Sequence, residues 1–205
     1  MESENNKTLT RKEKEFLYHR TDIIHFASKV FGEYGYNKAT VDKIAKESGY
    51  SKGSIYNYFK SKRELFLEVV IKILNDIEQI IDECFVQNNT RQSLERYFKN
   101  LSAYFSENRS AYEILMREVY ELRKGGLKKE SPKLLEKIVH LNSKIAGKLS
   151  SSVKIRNLDK DELAYIVTLL HSSFFFLQMK INLSPNNKEK ILKLLTKVTF
   201  DGILK

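Results

Sequence analysis

At 205 residues the chain can bury the core of one compact domain or of two small ones. Its 36 Lys and Arg against 26 Asp and Glu leave a formal charge of +10, which favours an anionic partner such as DNA or a membrane surface. A single cysteine, Cys84, excludes a disulfide framework and a thiolate metal cluster, and two prolines with eight glycines suit a helical protein. Half of the charge excess falls within residues 1–63, so charge alone does not locate the partner.

The chain opens on a polar stretch, about 1–10, that predicts a disordered arm with no apolar signal segment. Lys7, Arg11, Lys12 and Lys14 there read first as a solvated tail and second as a basic arm reaching a groove. With the lone cysteine, the opening predicts a cytoplasmic setting. A first helix follows over about 12–34. Ile23, Ala27, Val30 and Tyr34 form its stripe, Ile24 and Phe31 widen it, and Gly35 ends it. Thr40 suits the N-cap of a second helix whose first turn holds Asp42 and whose apolar face is Val41, Ile44 and Ala45. Gly49 is free to take the left-handed conformation that stops it. Ser51 caps a third, short helix with Ile55 and Phe59 on its buried side, and Ser61-x-x-Glu64 opens a fourth.

The outer face of that third helix carries the chemistry. Ser51, Lys52, Ser54, Tyr56, Asn57 and Tyr58 offer hydroxyls, an amide and a cation, and Lys60, Lys62 and Arg63 follow. A helix too short to stand alone, held by two neighbours and showing donors outward, is what docking in a major groove requires. Gly53 and Ser54 are small enough to bring the backbone close to phosphates.

The run Ser-Lys-Gly-Ser-Ile-Tyr-Asn-Tyr-Phe-Lys-Ser-Lys-Arg-Glu-Leu-Phe at 51–66, with Phe-Gly-Glu-Tyr-Gly-Tyr at 31–36, resembles the helix-turn-helix of the tetracycline-repressor (TetR-type) family of transcriptional regulators. The likeness covers about the first third of the chain. It implies that Thr40, Tyr56 and Lys62 contact phosphates. It makes Lys52, Gly53, Ser54, Asn57 and Tyr58 candidates for groove contacts, beside Ser51, a DNA-binding candidate from its place on the same outer face. Asn57 and Tyr58 stand where a histidine is frequent in that family, which leaves the base preference open.

The fourth helix runs over about 62–85 with Leu65, Phe66, Val69, Ile73, Ile77 and Ile80 at helical spacing; in the family it links the two domains. Thr90 caps a fifth helix bearing Leu94, Phe98, Leu101 and Phe105. A sixth bears Ala111, Leu115, Val119 and Leu122 on one face and Tyr112, Met116 and Tyr120 on another. After a basic loop at 123–129, Ser131-Pro132 starts a seventh with Leu134, Leu135, Ile138, Leu141, Ile145 and Leu149. Asp159-x-x-Glu162 starts an eighth with Leu163, Val167, Leu170, Phe174, Leu177 and Ile181. Ser184-Pro185 starts a ninth with Ile191, Leu194, Leu195, Val198 and Ile203. The fold expected is all-α with about nine helices. Residues 1–60 form a three-helix DNA-binding module, and 61–205 a helical domain for ligand binding and dimerisation.

Residues 163–179 hold no charge, but they fall short of about 20 apolar positions and are broken by polar ones, so burial is expected there rather than a membrane span. The resemblance assigns the last two helices to a four-helix dimer interface, which makes Leu163, Val167, Leu170, Phe174, Leu177, Ile191, Leu195 and Val198 its candidates. Phe98, Phe105, Tyr112, Met116, Tyr120, Phe174 and Phe175 are candidates for an apolar effector pocket, with ordinary core the default for each one taken singly. His171 beside them is either a polar handle for the ligand or a satisfied core histidine. The histidines are scattered, and no phosphate loop, nucleotide fingerprint or nucleophile elbow is present, so neither an enzyme nor a cofactor or metal is expected. The function expected is a ligand-released repressor that binds a palindromic operator as a homodimer and takes an apolar or amphipathic effector. The competing reading is a helical ligand-binding or protein-interaction module without sequence-specific DNA binding.

Overall fold

The structure, a computed structural model, describes residues 9–86, 90–123, 132–150, 159–180, 185–198 and 201. Of the polar stretch expected at about 1–10, residues 1–8 with Lys7 lie outside them, as does most of the basic loop at 123–129, whereas Arg11, Lys12 and Lys14 of the possible basic arm stand in the first helix. Among the described residues there is no strand, and nine helices follow one another. They are α1 (Arg11–Lys38), α2 (Val41–Ser48), α3 (Lys52–Tyr58), α4 (Lys62–Cys84), α5 (Thr90–Glu107), α6 (Arg109–Arg123), α7 (Pro132–Ser150), α8 (Lys160–Lys180) and α9 (Pro185–Val198). No helix among the described residues is long and apolar enough to cross a membrane. The chain divides into two compact units, 1–70 and 71–205. The division lies downstream of residue 60, because the start of α4 belongs to the first core.

In the first unit α1 begins on a reciprocal cap that satisfies two helix-end donors. The Glu13 N–H donates to Thr10 Oγ1 at 3.3 Å, and the Thr10 N–H to Glu13 Oε2 at 2.8 Å. At Gly35 the backbone leaves the helix with φ 69° and ψ 166°, and one further turn carries the chain to Ala39. Ile23, Ala27, Val30 and Phe31 of α1 are buried with Ile44, Ile55, Phe59, Leu65, Phe66 and Val69. Phe31 meets Phe66 edge-on, with ring centroids 4.9 Å apart. Tyr34 is exposed instead, with the Lys43 ammonium 3.7 Å from its ring centroid.

The second unit is an apolar bundle crossed by two polar devices. α7 packs on α8, and α5 on α6 and α9. The first device is Glu78 of α4, which accepts from Lys137, from Lys144 at 3.1 Å and from His140 at 3.0 Å, all on α7. Hydrogen bonding, that from Lys137 above all, holds the Glu78 carboxyl down at about 2. The second device is a hydrogen-bonded chain through α5, α8 and α7. Thr168 donates to the Ala164 carbonyl at 2.8 Å, so its oxygen accepts from Asn142 Nδ2 at 2.9 Å. Asn142 Oδ1 therefore takes the proton of His171 Nδ1 at 2.9 Å, and His171 Nε2 accepts from the Tyr97 hydroxyl at 2.7 Å. Burial lowers the His171 imidazole to about 4, which keeps it in this neutral form, and raises the Tyr97 phenol.

Candidate nucleic-acid interface

Three short-range devices set the angle between α2 and α3. Thr40 Oγ1 accepts the Lys43 N–H at 3.2 Å and starts α2. Gly49, with φ 74°, ends it in the left-handed conformation. Ser51 Oγ accepts the Ser54 N–H at 2.9 Å and starts α3. Behind α3, Ile55 and Phe59 are buried, and the Arg20 guanidinium stands 5.1 Å from the Phe59 ring centroid. At the turn, His19 Nδ1 and the Tyr50 hydroxyl are 2.7 Å apart, which ties α1 to the α2–α3 connection. Burial, with help from Asp22, pushes the Tyr50 phenol up to about 12. α3 is thus a seven-residue helix held by its Ser51 cap and by the buried Ile55 and Phe59 behind it.

The residues expected to meet DNA are not all equally available. Ser51, Lys52, Gly53, Tyr56 and Asn57 are exposed, as is Thr40, and Ser54 is half-buried. A Cβ added at Gly53 would meet nothing nearer than Ser51 Oγ at 3.8 Å, so no packing inside the protein demands glycine there. Lys52 Nζ lies 2.9 Å from Asp42 Oδ2, and this hydrogen bond raises the lysine pKa. The Tyr58 ring is turned onto α1, 4.9 Å from Phe16 and 6.3 Å from His19 between centroids. Lys62 reaches back to the Tyr36 and Ala39 carbonyls at 2.9 and 3.1 Å, with its ammonium 4.4 Å from the Tyr36 ring centroid. It therefore clamps the end of α1 while standing beside the reading face. Ser61 caps α4 through the Glu64 N–H at 3.1 Å, and Glu64 returns to the Lys60 N–H at 2.7 Å.

The aromatic candidates of the second unit fall into two groups. Phe98, His171 and Phe174 cluster with Tyr97 and Phe85; Phe98 and Phe174 are 5.3 Å apart. Phe105 and Tyr112 pair separately at 5.6 Å, burial pushes the Tyr112 phenol up to about 12, and Met116 is half-buried. Among the dimer candidates Leu163, Val167, Leu170 and Phe174 are buried within this chain, Ile191 is half-buried and Val198 is exposed. Among the described residues the large apolar positions that α8 turns outward are Tyr165 and Leu169, 73% and 66% exposed, and on α9 they are Leu194 and Val198. The side chains of Tyr120, Phe175, Leu177 and Leu195 lie outside the described residues.

A short helix with outward donors, seated on two supporting helices, defines a helix-turn-helix DNA-binding protein. Residues 23–69 match the family described as bacterial regulatory proteins, tetR family. Over 192 residues the chain is 28% identical to the uncharacterized HTH-type transcriptional regulator YhgD of Bacillus subtilis, covering 88% of this chain and 94% of that one. It is 29% identical over 105 residues to the fatty acid metabolism regulator protein of the same organism, covering 51% and 53% of the two chains. A solved structure from Clostridium perfringens, assigned as a fatty acid metabolism regulator, superposes with a TM-score of 0.68 at 26% identity over 90% of this chain and 99% of that one. Residues 23–69 carry the TetR-family helix-turn-helix, and the chain is a DNA-binding transcriptional regulator.

Proposed function

We propose that this regulator is a cytoplasmic homodimeric repressor that places α3 of each subunit in a major groove of a palindromic operator. The observation that carries the reading is α3 itself: Lys52, Gly53, Tyr56 and Asn57 outward, Ile55 and Phe59 buried behind them. In this reading Thr40 and Tyr56 hold phosphates, and Lys52 and Asn57 read base edges. Lys62 adds a phosphate contact from a fixed position. The outward apolar residues of α8 and α9, Tyr165, Leu169, Leu194 and Val198, supply the dimer face, and the twofold dimer sets half-sites about 10 bp or a multiple apart. The likeness to regulators of fatty acid metabolism supports a long-chain acyl effector for the second unit, an amphipathic molecule that suits an aromatic, apolar interior. Release needs only that the effector bind the DNA-incompetent arrangement more tightly.

The test is selection of duplex DNA from a random library by purified protein at about 150 mM salt, where loose charge is already screened. A palindrome should be enriched, and long-chain acyl-CoA should then dissociate the complex. Failure to enrich any sequence, before and after refolding to strip bound ligand, would sink the reading.

A further inference from the structure

α3 contains one charged residue, Lys52, and in the free protein that charge is already matched. Its partner, Asp42, lies on the first turn of α2, a site where a carboxylate is favoured by the helix dipole. The cap of α2 is Thr40, so Asp42 is not needed to start the helix. Both ends of the pair are open to solvent, Lys52 52% and Asp42 68% exposed, and both stand on the two helices that form the reading head. Three other cations nearby are engaged with the fold: Lys43 over Tyr34, Lys62 on two carbonyls, Arg63 over Tyr36 and Phe66.

We propose that Asp42 is a specificity-determining residue that acts through Lys52: it denies the lysine to phosphates and leaves it usable at a base edge. The inference rests on the DNA-binding reading of α3. A phosphate approaching Lys52 exchanges one anion for another and meets the Asp42 carboxylate as a like charge, so little is gained by the exchange. A guanine edge offers neutral acceptors, O6 and N7, and the ammonium has donors enough to bridge Asp42 and the base at once. The repulsive element therefore falls on sequence-independent binding, and the attractive one survives at the operator. Specificity is a difference of affinities, and the Asp42 carboxylate widens it by weakening the wrong complex.

The experiment compares wild type, Asp42→Asn, Asp42→Glu, Lys52→Ala and the double variant on the selected operator and on random duplex, from 50 to 200 mM salt. Asp42→Asn frees one cation, so its binding to random duplex should tighten and its salt slope steepen by about 0.9. Its gain over wild type on random duplex should accordingly shrink by about 3.5-fold across that salt range. The operator-to-random ratio should fall. Asp42→Glu, which keeps the charge, should keep the wild-type slope, and in the Lys52→Ala background Asp42→Asn should no longer alter it. An unchanged slope and ratio in Asp42→Asn, in a wild-type protein that does select an operator, overturns this inference alone. So does the same Asp42→Asn effect in the absence of Lys52. A wild type that selects no sequence overturns the DNA-binding reading, and this one with it.

Discussion

The two units of this chain are made of the same material, amphipathic helices, yet they place their polar side chains differently. In the first, most polar groups of α2 and α3 lie at the surface, and short-range caps set the helix ends: Thr40 to Lys43, Ser51 to Ser54, Ser61 to Glu64, with His19 to Tyr50 and Lys62 to the Tyr36 and Ala39 carbonyls as the longer ties. In the second, polar groups are turned inward and joined across long stretches of chain, Glu78 to Lys137 and Lys144, Tyr97 to His171. A unit that must present groups to an outside partner sets its helix ends with local signals, adds a few longer ties behind them and leaves an outer face open. A unit that encloses its interior uses polar pairs to decide which helices lie together.

The largest test of this contrast is acid. The folded His171 imidazole titrates at about 4, below its ordinary 6.5. Between these values the unfolded chain binds a proton that the folded chain refuses, so stability falls as pH falls from 6.5 to 4, by up to about 3 kcal/mol. Urea unfolding of the second unit at pH 7 and pH 4.5 should show that loss, and His171→Gln should flatten it. An equal loss in the variant would assign the acid response elsewhere. Glu78 acts in a lower window. Its depressed carboxyl pKa contributes stability above its ordinary 4.5 that is lost as pH falls towards 2. Glu78→Gln should cost about 2 kcal/mol at pH 7, read as a lower urea midpoint at constant slope, with operator selection intact under ligand-free conditions. The smallest effects sharpen the first unit. Gly49→Ala must hold φ 74° with a Cβ and should lose about 1 kcal/mol. Gly53→Ala lies in open helix and should gain about 1 kcal/mol in thermal unfolding while weakening operator binding.

The same contrast explains what was legible in the sequence. Caps and stops are three- or four-residue signals, so Gly35, Thr40, Gly49, Ser51 and the Asp159–Glu162 cap could be read directly, and the last closes with Glu162 Oε2 accepting the Asp159 N–H at 2.8 Å. Thr10-x-x-Glu13 carries the same signal at the start of α1, where it straddles the end of the polar stretch. The seven-residue α3 and its buried Ile55 and Phe59 followed from the pattern. Side-chain direction did not. Tyr58 turns onto Phe16 and Lys62 onto backbone carbonyls because α1 passes beside them, which spacing within α3 and α4 does not encode. The α8 stripe Leu163, Val167, Leu170 and Phe174 is equally apolar whether its own chain or another covers it; here its own chain does, and among the described residues the large apolar side chains turned outward are Tyr165 and Leu169. Asp42 and Lys52 are ten residues apart on two helices, and only the turn at Gly49 brings them together.

The chain Tyr97–His171–Asn142–Thr168–Ala164 has a direction, since every hydrogen in it points the same way along the path. Each link fixes the donor or acceptor role of the next, so a slip of α5, α7 or α8 by one position leaves several groups mismatched together. Partial sliding is therefore disfavoured at every intermediate step. Any rearrangement of this unit must carry the three helices as one body, or break the chain at one end, where Thr168 is exposed and water can replace its partners.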